Sequence, residues 1–364
     1  MSSIQLYKDP IQSAKVAGLR YVTDEQPGIR RQRWGRGFSY IDIDGSRIKD
    51  KNRRAQFKAL VIPPSWQDVW ICCQPNGHLR ATGRDLKKRK QYRYHPEWIA
   101  LRKQLKFDRL IPFAKALPTL RQQTAAIIKS ASASSNEDVH RETVIAAIIQ
   151  LLDNTFIRIG NQQYSQRNDS YGATTLQDNH AKICAGKIEL TFVGKSGVSR
   201  QLNLQDKKLA KIIKRCQEIP GQTLFQYFDK AGNRQEIESG DINEYLRSVM
   251  GSPFTAKDFR TWGGTVTAAN VLHRTAAKAR ENTSPSEAEM TSNIVEAIKI
   301  AAQRLGNRSA TCRKYYIHPC IFKAYKNESL EHAIKQCYPT ESALLNFLDS
   351  DEQKTLAILM ANKI

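Results

Sequence analysis

Hydrophobic and polar positions along the chain follow two periods. From Tyr21 to about residue 95 they alternate with period two, in short runs bounded by turn residues. Phe38-Ser-Tyr-Ile-Asp-Ile43 alternates, Asp44-Gly45 is a hairpin turn pair, and Ser46-Arg-Ile48 begins a return strand. A second hairpin runs from Val69-Trp-Ile-Cys-Cys-Gln74 through Asn76-Gly77 to His78-Leu-Arg-Ala-Thr82. Val61-Ile-Pro-Pro-Ser65 between them is an extended connection, because proline cannot donate to a ladder. This pattern predicts a small antiparallel β domain, with residues 1–20 as a short helical or irregular lead-in.

After Pro96 the period becomes helical. Helices are predicted over 97–106, over 110–130 with disturbance at Pro112 and Pro118, and from Glu137 to Asn154. The last is capped by the small-residue stretch Ser132-Ala-Ser-Ser-Asn136. Its apolar face (Val139, Val144, Ile145, Ile148, Ile149, Leu151, Leu152) is broad enough to be buried. One hairpin interrupts the helices: Lys187–Val193, a turn at Gly194-Lys-Ser-Gly197, and Val198–Leu204. Further helices are expected at about 206–218, 240–250, 256–275, 285–305, 311–323, 328–337 and 341–361. The expected fold is α+β: a β domain over 1–95 and a mainly helical domain over 96–364 with an embedded β-hairpin.

Charge narrows the partner. The 364 residues carry 57 Lys and Arg against 35 Asp and Glu, a formal charge of +22. An excess of that size on a foldable chain points to a polyanion, most often nucleic acid. The seven cysteines show no Cys-x-x-Cys spacing and read as reduced thiols, neither a disulfide framework nor a zinc site. No apolar run approaches membrane-spanning length and the start lacks a signal-peptide core, so a cytoplasmic protein is expected.

Basic and aromatic residues interleave in the β domain. Arg30, Arg31, Arg33, Trp34 and Arg36 form one cluster. Arg84, Lys87, Lys88, Arg89, Lys90, Tyr92, Arg93 and Tyr94 form another. Cations neutralise phosphates while rings pack on sugars and bases. In the helical domain four residues stand out on chemical grounds. Arg158 is a lone cation ending an apolar helix, Lys195 sits on a hairpin tip, Arg260 lies in the first turns of a helix capped by Thr255, and Tyr316 follows Arg313-Lys314-Tyr315. A phenol needs cationic neighbours to act as a nucleophile at neutral pH. Each also has an ordinary structural reading: a paired buried arginine, a turn lysine, an intrahelical partner of Asp258, a surface tyrosine pair. Spacing alone does not assemble them.

These segments, in this order, resemble a type IB DNA topoisomerase of the poxvirus-like, bacterial branch. The similarity runs from Arg20-Tyr-Val-Thr23 to about Ile321. It is carried by Gly83-Arg-Asp85, Gln91-Tyr-Arg-Tyr-His-Pro96, Phe156-Ile-Arg-Ile-Gly160, Phe192-Val-Gly-Lys195, Lys257-Asp-Phe-Arg-Thr261 and Arg313-Lys-Tyr-Tyr-Ile-His-Pro319. The resemblance implies that Tyr316 is the nucleophile, forming a 3′-phosphotyrosyl bond. It implies that Arg158 and Arg260 hold the non-bridging phosphate oxygens, that Lys195 protonates the departing 5′ oxygen, and that Lys257 assists. It places Tyr164 on a phosphate. A planar, permanently charged fork suits two phosphate oxygens, and a lysine can release a proton where an arginine cannot.

One position departs from the poxvirus pattern. Asn307, nine residues before Tyr316, stands where those enzymes have histidine. Asparagine still donates a hydrogen bond but carries no charge, so a neutral donor role is expected. The family's reaction implies no metal, ATP or other cofactor, and a monomer clamped around duplex DNA in the nucleoid. Two rivals remain at this point. A tyrosine recombinase shares the chemistry, but the N-terminal β domain and the lack of a His-x-x-Arg box weigh against it. A non-catalytic DNA-binding protein fits the charge but gives no reason for the collinear motifs.

Overall fold

The computed structural model describes residues 3–134, 139–279, 285–337 and 346–362. Internal contacts divide the chain into two units, Met1–Arg109 and Leu110–Ile364.

The first unit starts with helices α1 (Ser3–Lys8) and α2 (Pro10–Val16), the second capped by Asp9, whose carboxylate accepts from Ile11 N and Gln12 N at 3.0 Å. There follow β1 (Ile29–Trp34), β2 (Gly37–Ile41), α3 (Lys51–Ala59), β3 (Gln67–Ile71), β4 (Leu79–Arg84), β5 (Lys90–Tyr94) and α4 (Pro96–Asp108). The strands make one antiparallel sheet in the order β2-β1-β3-β4-β5. Ile29, Tyr40, Val69, Ile71 and Ala81 from the sheet cluster with Ile48 and with Phe57 of α3. Ala14, Leu19 and Trp98 form a second cluster that joins α2 to α4. Helix α4 therefore belongs with the first unit, and the division falls after Arg109, later than the expected 95/96.

The first hairpin differs from expectation. Gly37–Ile41 pairs with Ile29–Trp34, and the segment after Asp44-Gly45 returns only as a single bridge between Ile41 and Arg47. The basic run Ile29-Arg-Arg-Gln-Arg-Trp34 buries only Ile29 fully, so its pattern hides a strand. Arg31 anchors it: the guanidinium donates to the carbonyls of Ile62, Pro63 and Trp66 at 3.0, 2.9 and 2.9 Å and lies 4.1 Å over the Phe38 ring. The basic-aromatic run 90–94 is likewise a strand, β5, at the sheet edge. A charged edge of this kind resists pairing with another sheet.

The second unit contains α5 (Leu110–Ala133), α6 (Arg141–Thr155), α7 (Gln162–Asn168), β6 (Ala181–Cys184), β7 (Lys187–Val193), β8 (Ser199–Gln205) and α8 (Lys207–Glu218). Then come β9 (Gln226–Phe228), β10 (Arg234–Glu236), α9 (Ser239–Met250), α10 (Ala256–Ala279), α11 (Glu287–Leu305), α12 (Ser309–Tyr315), α13 (Pro319–Lys326), α14 (Leu330–Cys337) and α15 (Ser350–Ala361). Helix α6 is buried on all sides from Thr143 to Ile149, as a central helix must be. β6 adds a third strand to the expected β7–β8 hairpin. The α+β architecture is as expected: an antiparallel sheet, and a larger, mainly helical unit with the embedded hairpin.

Three helix boundaries differ. α5 runs unbroken through Pro118, because the buried face of Leu110, Phe113, Ala114, Leu117 and Leu120 outweighs the hydrogen bond that proline removes. α6 begins at Arg141 after His140; of the expected cap and start, residues 135–138 lie outside those described, as do 341–345 of the last expected helix. The helix expected over 311–323 is broken at Tyr316-Ile317-His318. Pro319 at the first position of α13 drives its predecessor out of the helical region, and His318 sits at φ −65°, ψ 127°.

Candidate active site

Two helices of the second unit end at the same buried side chain. α6 closes with Phe156 in the left-handed conformation (φ 54°), its N–H donating to Leu152 O at 2.9 Å. α11 closes at Leu305, followed by Gly306 at φ 59°. Arg260, on the second turn of α10 and only 4% exposed, donates Nη1 to Phe156 O and Nη2 to Leu305 O, the latter at 2.9 Å. Terminal carbonyls lack intrahelical donors and carry partial negative charge, so they suit a buried guanidinium.

Arg158 follows two residues after Phe156. Its backbone is pinned where Ala173 N donates to Arg158 O and Thr174 N to Ile159 O, both at 2.7 Å. Its Nη2 donates to Oδ1 of Asn307. Asn307 is held by the end of α11, its N–H reaching Ala302 O at 2.9 Å. The other half of its amide, Nδ2, is buried without a hydrogen-bond partner among the described residues, as is Arg260 Nε.

Tyr316 caps the C-terminus of α12, donating its backbone N–H to Cys312 O at 2.8 Å. Arg260 hydrogen-bonds to its side chain, with the guanidinium carbon 5.2 Å from the ring centroid. The break after Tyr316 rests on α10. Thr265 Oγ1, which donates to Thr261 O at 2.8 Å and lies 3.4 Å from Tyr316 O, accepts from His318 N at 3.1 Å. A Cβ on Gly264 would stand 2.6 Å from Tyr316 O, so only glycine admits this approach. Tyr315 is different: it is 47% exposed, with Lys314 Nζ 5.2 Å over its ring.

A third arginine joins the group without having shown any signal in the sequence. Arg200 of β8 donates Nη1 to Gln303 O at 3.3 Å and Nη2 to Arg304 O at 3.1 Å. Burial lowers the pKa of all three arginines. Arg260 falls to about 10 through burial and the neighbouring Arg158 and Arg200, with Tyr316 opposing. Arg158 is lowered by burial against the pull of Tyr316, and Arg200 by burial and then Arg158. Among the described residues their hydrogen-bond partners are carbonyls, Asn307 and Tyr316, never a carboxylate. Buried charge is ordinarily paired. The three guanidiniums therefore carry positive charge that no described carboxylate balances.

The other candidates are dispersed. Lys195 is exposed at the β7–β8 turn and Lys257 is exposed one turn before Arg260; neither side chain bonds to a described residue. The Tyr164 side chain lies outside the described residues. In the first unit Tyr92 and Tyr94 stack on β5 with centroids 5.9 Å apart, both exposed. Arg89 pairs with Asp85 at 2.6 Å, Arg84 lies 3.7 Å from Asp68, and Arg93 donates to Val61 O at 2.8 Å. Lys87 and Lys88 are exposed and, among the described residues, their ammonium groups have no carboxylate partner; the Lys87 backbone N–H donates to Asp85 Oδ1 at 3.0 Å. Trp34 is 62% exposed beneath Arg47, whose guanidinium carbon lies 4.1 Å from the ring; Arg33 is exposed beside it. No described group of three His, Cys, Asp or Glu is placed to hold a metal ion, and no described helix is long and apolar enough to cross a membrane.

The eukaryotic DNA topoisomerase I catalytic core matches residues 90–340, and the N-terminal domain of bacterial DNA topoisomerase IB matches residues 37–85. The chain belongs to the type IB DNA topoisomerases. The DNA topoisomerase 1B of Acanthamoeba polyphaga mimivirus is 32% identical over 304 residues, covering 82% of this chain and 88% of the viral protein. The DNA topoisomerase 1 of Mycosarcoma maydis is 26% identical over 198 residues, which are 49% of this chain and 19% of the fungal one. The catalytic-core match of this type IB enzyme contains Arg158, Lys195, Arg200, Lys257, Arg260, Asn307 and Tyr316; α15 lies beyond it.

Proposed function

We propose that this isomerase relaxes both positive and negative supercoils in duplex DNA by transesterification at Tyr316. The phenolic oxygen attacks a backbone phosphorus, the P–O5′ bond breaks, and a 3′-phosphotyrosyl link forms. Arg158 and Arg260 hold the two non-bridging oxygens, and Asn307 Nδ2 supplies a neutral third donor. The Tyr316 proton passes to solvent water, and Lys195, with Lys257 assisting, gives one to the leaving 5′ oxygen. The freed end rotates, and its hydroxyl reverses the attack. One phosphodiester is exchanged for another of similar energy, so no nucleotide is consumed. The guanidiniums meet the charge of the phosphorane, which leaves no step that calls for a metal. On this reading β5 and the Lys87-Lys88 turn bind the same DNA, one chain suffices, and the enzyme works in the nucleoid.

The observation that carries the reading is the buried Arg260 and the half-buried Arg158, both interacting electrostatically with Tyr316 and, among the described residues, without a carboxylate partner. The test is relaxation of negatively and of positively supercoiled plasmid in EDTA without nucleotide. Both should relax, and Tyr316→Phe should relax neither. A requirement for ATP or a divalent cation, or a fully active Tyr316→Phe protein, would refute it.

A further inference from the structure

We propose that Arg200 is a positioning residue that holds the Lys195 turn against the C-terminus of α11. The inference rests on the reading of Lys195 as the group that protonates the leaving oxygen.

The Lys195 side chain bonds to nothing among the described residues, so something else must fix where its turn lies. That turn is closed by Gly194 N donating to Val198 O at 2.8 Å. Arg200 lies just beyond it on β8, opposite Phe192 of β7. Its stem crosses the base of the turn, with Cγ 3.3 Å from the position a Cβ on Gly194 would occupy. Its fork then reaches out of the hairpin to α11, one nitrogen to Gln303 O and the other to Arg304 O, at 3.3 and 3.1 Å. Gly306 makes this reach possible. It sits at φ 59°, and a Cβ there would lie 2.3 Å from Arg200 Nη1.

One side chain thus spans the residue before Lys195 and the helix end before Asn307. The chemistry suits the task. Carbonyls in the last turn of a helix are unpaired acceptors with partial negative charge. A planar guanidinium can bond two of them at once and so fixes orientation as well as distance, which a lysine ammonium cannot do. Asn307 does not depend on the bridge, because Ala302 O and Arg158 hold it independently. Loss of Arg200 should therefore release the Lys195 turn and leave the phosphate-holding groups in place.

The test compares single-turnover cleavage of two duplexes, one with the ordinary 5′-oxygen at the scissile phosphate and one with sulfur in that bridging position. A thiolate leaves without being protonated, since thiols ionise near neutral pH whereas an alcohol does not. Arg200→Ala should slow the oxygen substrate roughly 10- to 100-fold, the scale of a misplaced catalytic group. The sulfur substrate should recover most of that loss, with plasmid affinity unchanged. Arg200→Lys, which keeps charge and stem, should show the same pattern with a smaller defect; it serves if the alanine variant does not fold. Equal slowing of both substrates, or no slowing of either, would overturn the proposal. Lys195→Ala is the control. If sulfur fails to rescue it, the role assigned to Lys195 is wrong; rescue of Lys195→Ala without rescue of either Arg200 variant refutes the role of Arg200 alone.

Discussion

Arg158 Nη2 donates to Oδ1 of Asn307, 149 residues further along the chain, and leaves Asn307 Nδ2 buried with no partner among the described residues. The acceptor side of the amide is thereby spent on the arginine, and only its donor side remains for a ligand. An anion placed against this amide would meet its donor side and not its oxygen.

That orientation gives the first prediction. Asn307→Ala should slow single-turnover cleavage by about 100-fold, as for removal of one donor from an oxyanion site, with little change in DNA affinity. Asn307→Asp should be worse, because a carboxylate pairs with Arg158 and repels the phosphate. An aspartate variant as fast as the alanine variant would show that Nδ2 does not face the scissile phosphate.

Gly264 offers a second test, because helix propensity and packing oppose each other there. Alanine is favoured over glycine in a helix by roughly 1 kcal/mol. Yet a Cβ at Gly264 would meet Tyr316 O at 2.6 Å and Leu305 Cδ1 at 3.0 Å. Overpacking of this kind costs about 1–3 kcal/mol. Gly264→Ala should therefore lower Tm in a thermal melt and slow cleavage, since the backbone that must move carries Tyr316.

The third prediction concerns the C-terminal helix. Arg121 of α5 bonds Asp153 of α6 at 2.7 and 2.9 Å and Glu352 of α15 at 2.6 and 2.8 Å; Glu352 also accepts from Trp262 of α10 at 2.8 Å. One cation serves two carboxylates, so they diverge. Burial pushes Asp153 up despite Arg121. Burial also acts to raise Glu352, but Arg121, Trp262 and Asp349 N together hold it below its usual range. The Glu352 contribution to stability should be complete above the unfolded carboxylate value of about 4.3 and lost as pH falls through the lower folded value. Asp153 has the opposite sign, contributing only as it takes up its proton. Glu352→Gln should cost about 3 kcal/mol at pH 7 and flatten the acid limb of stability measured by urea unfolding at several pH values.

The basic residues of the first unit should separate into two groups. Arg31 is committed to three carbonyls, so Arg31→Ala should lower the stability of the β domain. The ammonium groups of Lys87 and Lys88 have no carboxylate partner among the described residues. Replacing both by alanine should leave Tm unchanged and reduce the slope of log K against log salt by about 1.8, or 0.9 for each phosphate no longer neutralised. An unchanged slope would place the DNA elsewhere.

Long periodic helices and the hairpin around Lys195 were legible in the sequence because burial alone dictated their pattern. Strand β1 was not, since its stability comes from Arg31 on backbone carbonyls and from the Phe38 ring, neither of which leaves a hydrophobic signature. The break that sets Tyr316 apart was written in His318-Pro319, but the apolar periodicity running through it concealed the stop. The motifs carried Arg158, Arg260, Asn307 and Tyr316, which the fold brings together from α10 and from the segments that follow α6, α11 and α12. Arg200, Gly264 and Thr265 had no such signal. Their importance lies in approaches between segments far apart in sequence, which no local pattern encodes.

The most direct measurement is the identity of the residue joined to DNA. A duplex cut so that the short strand bearing the freed 5′-hydroxyl dissociates should trap the covalent complex. Protease digestion with mass spectrometry should then place the nucleotide on Tyr316. Tyr316→Phe should give no adduct, and Tyr315→Phe should give it at close to the wild-type rate. An adduct on Tyr315, or one that persists in Tyr316→Phe, would contradict the account.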